Sequence, residues 1–114
     1  MVLVVEDEAL VQLVAIDLLE DAGIPVWSAS TGEEALDVLQ RHCHEISVLF
    51  TDVNLGAGIT GFEVARRARA LCPQIRVIYA TGAPQPNVQT ERVTKSLFIN
   101  KPYAVSHVLD AVLG

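Results

Sequence analysis

Two apolar runs in this chain stop on carboxylates. Val2-Leu3-Val4-Val5 gives way to Glu6, Asp7 and Glu8, and Ile46–Thr51 gives way to Asp52. A buried strand can end on any polar residue, so one such stop is only punctuation. Two of them raise the question of what the acids do together. At a separation of ~4 Å and an effective dielectric of about 20, each pair of carboxylates costs about 4 kcal/mol. A divalent hard cation is the natural counter-charge, and all-oxygen ligation suits magnesium. Magnesium takes one or two carboxylates and keeps several waters, so Asp7 and Asp52 are expected to bind it directly and Glu6 through water.

Two further stretches place complementary groups after apolar runs. "YATG" puts Thr81 past the fourth run, and "INKPY" puts Lys101 past the fifth. A hydroxyl and an ammonium beside a metal-bound carboxylate suit an incoming phosphoryl group. Lys101 would pair with one phosphoryl oxygen and Thr81 would donate to another. Asp52 would then be the nucleophile, forming an acyl phosphate.

The elements that must bring these residues together alternate along the chain. Strands are expected at Val2–Val5, Ile24–Ala29, Ile46–Thr51, Ile75–Ala80 and Ser96–Ile99. Helices are expected at Ala9–Asp21, closed by Gly23, then from the Ser30-Thr31-Gly32-Glu33 capping box to about Gln40, at Gly61–Leu71, and at Tyr103–Leu113. Pro84 and Pro86 confine any helix between the fourth and fifth strands to about Val88–Thr94. Continuous apolar strands alternating with helices imply an α/β doubly wound parallel sheet with helices on both faces. For five strands the common order is 2-1-3-4-5, with ligands outside the carboxyl ends at the switch between strands 1 and 3. Glu6, Asp7 and Asp52 follow those two strands and should converge on one crevice.

The set "VVED", "FTDVN", "YATG" and "NKPY", in this order and on this alternation, resembles the receiver domain of two-component response regulators over essentially the whole chain. The resemblance implies a flavodoxin-like fold in which Glu6 and Asp7 are the acidic pair that binds magnesium. It makes Asp52 the acceptor of phosphate from a histidine kinase or histidine phosphotransfer protein. Asn54 would give its backbone carbonyl to the metal, Thr81 would be the switch hydroxyl, Lys101 the motif lysine, and Phe98 the switch aromatic of the fifth strand. It also implies a cis peptide at Lys101-Pro102, intrinsic self-phosphorylation and autodephosphorylation chemistry, and a fused or separate output domain. The chain departs from the family where Leu55-Gly56-Ala57-Gly58 replaces a proline-bearing loop. The segment after Thr81 is also short and carries two prolines, which suggests a truncated helix there.

Composition sets the frame. The 114 residues suffice for one domain, 1–114, and at 51% hydrophobic and 19% charged the chain is globular. A net charge of −6 argues against direct nucleic-acid binding, which needs a basic stripe, and against docking on anionic lipid. No apolar stretch approaches the length of a membrane span, and no leader precedes the first strand, so a cytoplasmic location is expected. A stand-alone domain and a piece of a longer protein both fit. Cys43 and Cys72 lack metal spacing and are expected to be free thiols.

Other features read as structure. Glu8 suits the first turn of a helix, and "RHCHE" at 41–45 reads as a surface turn around a buried Cys43. His107 reads as surface or packing. Arg66, Arg67 and Arg69 read as a solvated face of exposed pairs. In the first helix, Leu10, Val11, Leu13, Val14, Ile16, Leu18 and Leu19 surround nearly the whole circumference, where one apolar stripe would suffice. Some should be exposed to a partner helix bundle, or else buried under the last helix. Two other functions share the fold. A magnesium-dependent phosphohydrolase usually shows two aspartates two apart after the first strand, where this chain reads Glu6-Asp7-Glu8. A flavin-binding domain needs a phosphate loop there, which three acids would repel. An unphosphorylated protein-binding receiver module is a third alternative.

Overall fold

The computed structural model describes residues 1–56, 58–82 and 91–114. Five parallel strands form one sheet in the order β2-β1-β3-β4-β5: β1 (Val2–Val5), β2 (Val26–Ala29), β3 (Val48–Asp52), β4 (Arg76–Thr81) and β5 (Ser96–Asn100). Among the described residues there are four α-helices, α1 (Ala9–Asp21), α2 (Gly32–His42), α3 (Gly61–Leu71) and α4 (Val105–Leu113). The expected architecture is therefore the one observed. Of the short helix expected over Val88–Thr94, the first three residues lie outside the described ones.

The strands are apolar throughout because each faces two layers. Leu3, Val5, Leu49, Val77 and Tyr79 point to the side covered by α2 and α3. Val2, Val4, Phe50, Ile78 and Ala80 point to the side covered by α1 and α4. This is the period-two alternation of a strand with both faces buried. Arg76 ties the second layer down, its guanidinium donating to the carbonyls of Val112 at 2.7 Å and Ala111 at 2.5 Å. Those carbonyls are left open by the end of α4, where a cation is favourable.

Several boundaries move by one or two residues, for local reasons. The N-cap of α2 is Thr31 rather than Ser30, its hydroxyl accepting the Glu34 N–H at 3.0 Å. α2 runs on to His42, and a 3-10 turn, Cys43–Glu45, follows. α4 begins at Val105, two residues beyond the expected start. α1 ends as expected, with the N–H groups of Gly23 and Ile24 donating to the carbonyls of Glu20 and Leu19.

Two expectations are overturned. Cys43 and Cys72 are joined in a disulfide, their Cα atoms 6.0 Å apart. A separation of 29 positions in sequence says nothing about distance once α2 and α3 lie side by side and end together. Cys43 is accordingly half-buried and bonded, not a buried free thiol. Arg69 is likewise no solvated charge: it donates to the carbonyls of Ile75 at 2.7 Å, Thr94 at 2.7 Å and Lys95 at 3.4 Å, bracing the start of β5. Arg66 and Arg67 do pair on the surface, both with Glu63, whose carboxyl their hydrogen bonds hold below the ordinary range. In "RHCHE", His42 stacks on Trp27 at 4.3 Å and lies 3.5 Å from Glu45, while His44 is exposed.

Candidate functional site

Parallel register decides what meets at the top of the sheet. Val5 of β1 lies beside Thr51 of β3, Asp52 beside Ala80 of β4, and Thr81 beside Asn100 of β5. The residues after β1, at the end of β3 and after β5 therefore share one edge. An open crevice of about 400 Å³ there is lined by Asp7, Glu8, Asp52, Asn54, Gly56, Gly82 and Lys101.

Lys101 bridges the acids. Its Nζ donates to Oε1 of Glu6 at 2.5 Å and to Oδ2 of Asp52 at 3.0 Å. Burial works against the Lys101 charge, but these two hydrogen bonds outweigh it and hold its pKa above that of an ordinary ammonium. Glu6 is 1% exposed, and burial pushes its carboxyl up while the Lys101 hydrogen bond pulls it back. Its other oxygen accepts the Glu8 N–H at 3.1 Å, so both Glu6 oxygens are engaged. Asp52 is 8% exposed, and the Asn54 N–H approaches its Oδ1 at 3.4 Å. The Asp7 carboxylate is exposed.

One oxygen from each of Glu6, Asp7 and Asp52 lies within 4.8 Å of the others. Three carboxylates against one ammonium leave negative charge uncompensated, and the donors are all hard oxygens. That donor set fits a divalent hard cation. Because Lys101 and the Glu8 N–H occupy Glu6, and Lys101 also holds Oδ2 of Asp52, the carboxylate oxygens left for direct ligation are those of Asp7 and Oδ1 of Asp52.

Two glycines let the loop pass this close. A Cβ at Gly61 would overlap the carbonyl oxygen of Asp52, so only glycine lets α3 start there. Gly56 has φ +72°, and a side chain there would crowd Oδ2 of Asp7 at 3.1 Å. Thr60 caps α3 by accepting the Glu63 N–H at 3.2 Å.

Of the residues singled out in the sequence, Glu6, Asp7, Asp52, Asn54 and Lys101 are brought together. Thr81 is half-buried at the end of β4, its carbonyl accepting the Lys101 N–H at 3.0 Å. Phe98 is half-buried one strand over, 4.9 Å from the Tyr79 ring and below the Arg92 guanidinium at the same distance. The Lys101-Pro102 peptide is cis. Of two further residues beside the site, Tyr103 closes the "NKPY" stretch without an assigned role, and Gln12 carries no sequence signal. Tyr103 packs edge-on against Phe50 at 5.4 Å, its pKa raised by burial and by the nearby carboxylates. Gln12 reaches from α1 to the ends of two strands.

On the α1 side of the crevice, Leu10, Leu13 and Val14 are exposed at 79%, 53% and 55%. Beside them an apolar hollow of about 310 Å³ is formed by Val11, Val14, Lys101, Pro102 and Tyr103. The exposure expected of α1 is thus present, whereas Ala15 and Leu19 are core. No helix among the described residues is long and apolar enough to cross a membrane.

Comparisons with known proteins agree with this geometry. The family model described as "Response regulator receiver domain" matches residues 2–113. The transcriptional activator protein ExaE of Pseudomonas putida is 30% identical over 115 residues, covering 97% of this chain and 52% of that protein. The sensor kinase CckA of Brucella abortus is 27% identical over 115 residues, covering 97% of this chain and 12% of the kinase. The chain thus spans about half of the one relative and a small part of the other. A crystal structure of a response regulator receiver protein from Sinorhizobium medicae superposes with TM-score 0.92 at 28% identity, covering 98% of this chain and 90% of that one.

Proposed function

The chain belongs to the response regulator receiver domain family of two-component signalling, and from that premise we propose that it accepts a phosphoryl group on Asp52. The observation that carries this reading is Lys101, whose ammonium spans Glu6 and Asp52 at 2.5 Å and 3.0 Å. In the transfer, an oxygen of Asp52 attacks phosphorus as the bond from phosphorus to the donor nitrogen breaks. The donor imidazole keeps the electron pair. Lys101 then exchanges its Asp52 contact for a phosphoryl oxygen and keeps its hold on Glu6. The Thr81 hydroxyl donates to a second phosphoryl oxygen, and Phe98 follows Thr81 inward. This is a local charge event that biases a two-state element.

Magnesium, held by Asp7, Asp52 and the Asn54 carbonyl with Glu6 reaching it through water, would neutralise charge on the transferring oxygens. The same groups let the domain phosphorylate itself from a small acyl phosphate and later lose the phosphate to water. The donor is a histidine kinase or histidine phosphotransfer protein of the cytoplasm. Its helices rest on Leu10, Leu13 and Val14, which lie beside the crevice and turn away from the core. An output domain, fused or separate, reads the result.

Intact-mass spectrometry after incubation with acetyl phosphate and magnesium tests the chemistry. One added phosphoryl group is expected, absent without magnesium and absent in Asp52→Asn. An adduct that persists in Asp52→Asn would place the chemistry elsewhere.

A further inference from the structure

The Asp7 carboxylate is exposed, and among the described residues no side chain or N–H group is hydrogen-bonded to it, so what the fold fixes is the point from which the side chain starts. The peptide that sets it joins Glu6 to Asp7, one residue beyond the end of β1. This inference rests on the reading of Asp7 given above and deepens it: we propose that Gln12 is the positioning residue of the acidic turn.

The geometry is a three-way tie. Nε2 of Gln12 donates to the Glu6 carbonyl at 3.2 Å and to the Ala29 carbonyl at 3.0 Å. The Ala29 carbonyl also accepts the Glu6 N–H at 3.1 Å. One neutral amide thus spends both hydrogens on the ends of two neighbouring strands. Gln12 is itself seated, since its own N–H donates to Glu8 at 2.9 Å as α1 begins. The side chain is half-buried, which shields these bonds from water.

The chemistry of glutamine suits this place. The turn must be held by a donor, because two carbonyls face it. A carboxamide supplies two donors without charge. Partners of this kind, which orient ligands without touching the metal, are typically worth 10–100-fold in metal affinity.

The test is a calorimetric titration of magnesium chloride into the full chain and into Gln12→Met, which keeps the length and loses both donors. One site is expected in each, bound about tenfold more weakly in the variant. Thermal midpoints in chelator and in saturating magnesium separate positioning from packing. Lost packing lowers both midpoints alike, whereas lost positioning shrinks the rise that magnesium gives. Equal affinity in the two proteins overturns the role of Gln12 and leaves the metal reading standing. No saturable binding in the unaltered chain overturns the metal reading, and this inference with it. If Gln12→Met does not fold, the unaltered protein decides by nuclear magnetic resonance. The Gln12 side-chain amide protons should exchange slowly and shift when magnesium is added; solvent-like exchange without a shift overturns the proposal.

Discussion

Oε1 of Glu6 lies 2.5 Å from Nζ of Lys101, across 95 positions of sequence. Glu6 is almost wholly buried and Lys101 largely so, which makes this pair unlike the surface pairs of Glu63. Breaking a buried pair by removing one partner leaves the other charge uncompensated, at a cost of about 3–5 kcal/mol. Replacing both removes the share of that penalty that falls on Glu6, while Asp52 still lacks the ammonium that lay 3.0 Å away. Lys101→Met in chelator is therefore expected to lose about 3 kcal/mol in urea unfolding, and Glu6→Gln with Lys101→Met to regain part of it. A double variant as unstable as the sum of its parts would mean that the two residues act independently.

The apolar face of α1 gives a second expectation. Leu10 and Val14 are exposed beside the hollow of Val11, Pro102 and Tyr103, so a glutamate at either position costs the fold little. In the proposed docking it would face apolar helix surface. Leu10→Glu with Val14→Glu should slow transfer from a histidine-phosphorylated donor about tenfold, as expected when anchors of an interface are lost. Phosphorylation by acetyl phosphate should be unchanged. Ala15 is unsuited to this experiment because it is 1% exposed and glutamate there would disrupt the core. Equal loss in both assays would show that α1 acts on the site and not on the donor.

The architecture was legible because burial on both faces leaves a period and a composition behind. Val2–Val5 and the run ending at Asp52 are short, apolar and bounded by acids, as interior strands are, and their parallel pairing fixes where Glu6 and Asp52 meet. Element ends were less legible. Thr31 and Ser30 are both competent caps, and only the path of the chain selects Thr31. Side chains that bind backbone carbonyls left no mark at all. Gln12 and Arg69 look like surface residues in the sequence because their partners are peptide groups, which every residue has. The pairing of Cys43 with Cys72 was hidden for another reason: it depends on two helices ending side by side.

That disulfide should be measurable in stability. It closes a loop across a separation of 29 positions, and constraint of the unfolded chain over such a loop is worth about 3–4 kcal/mol. Urea unfolding with and without a thiol reductant should show a midpoint lowered on reduction, and Cys43→Ser should lie at the lower midpoint in both conditions. Alkylation followed by intact mass confirms the redox state of each sample. Coincident midpoints in samples proven oxidised and reduced would mean that α2 and α3 are held together by packing alone.

The two tyrosines give the chain an alkaline limit. Burial raises the pKa of Tyr79, whose ring is fully enclosed and whose hydroxyl oxygen accepts the Val93 N–H at 3.1 Å. Burial also raises that of Tyr103, and the carboxylates of Glu6, Asp52 and Glu8 push it further. A phenol whose folded pKa lies above its unfolded value of about 10 stays protonated in the fold after the unfolded chain has begun to lose that proton. The unfolded state then binds fewer protons, so stability falls as pH rises; the contribution is complete below about pH 10 and is lost above it. Lys101, also raised, adds to the same slope. Phenolate absorbance should therefore stay near zero at about pH 10, where free tyrosine is half ionised, and rise together with loss of the far-ultraviolet dichroism. Tyr103→Phe should make the fall in stability with pH shallower by about one proton. Half-maximal phenolate absorbance at that pH in a chain whose dichroism is still native would show that both rings are open to solvent, and that the packing of Tyr103 against Phe50 does not persist in solution.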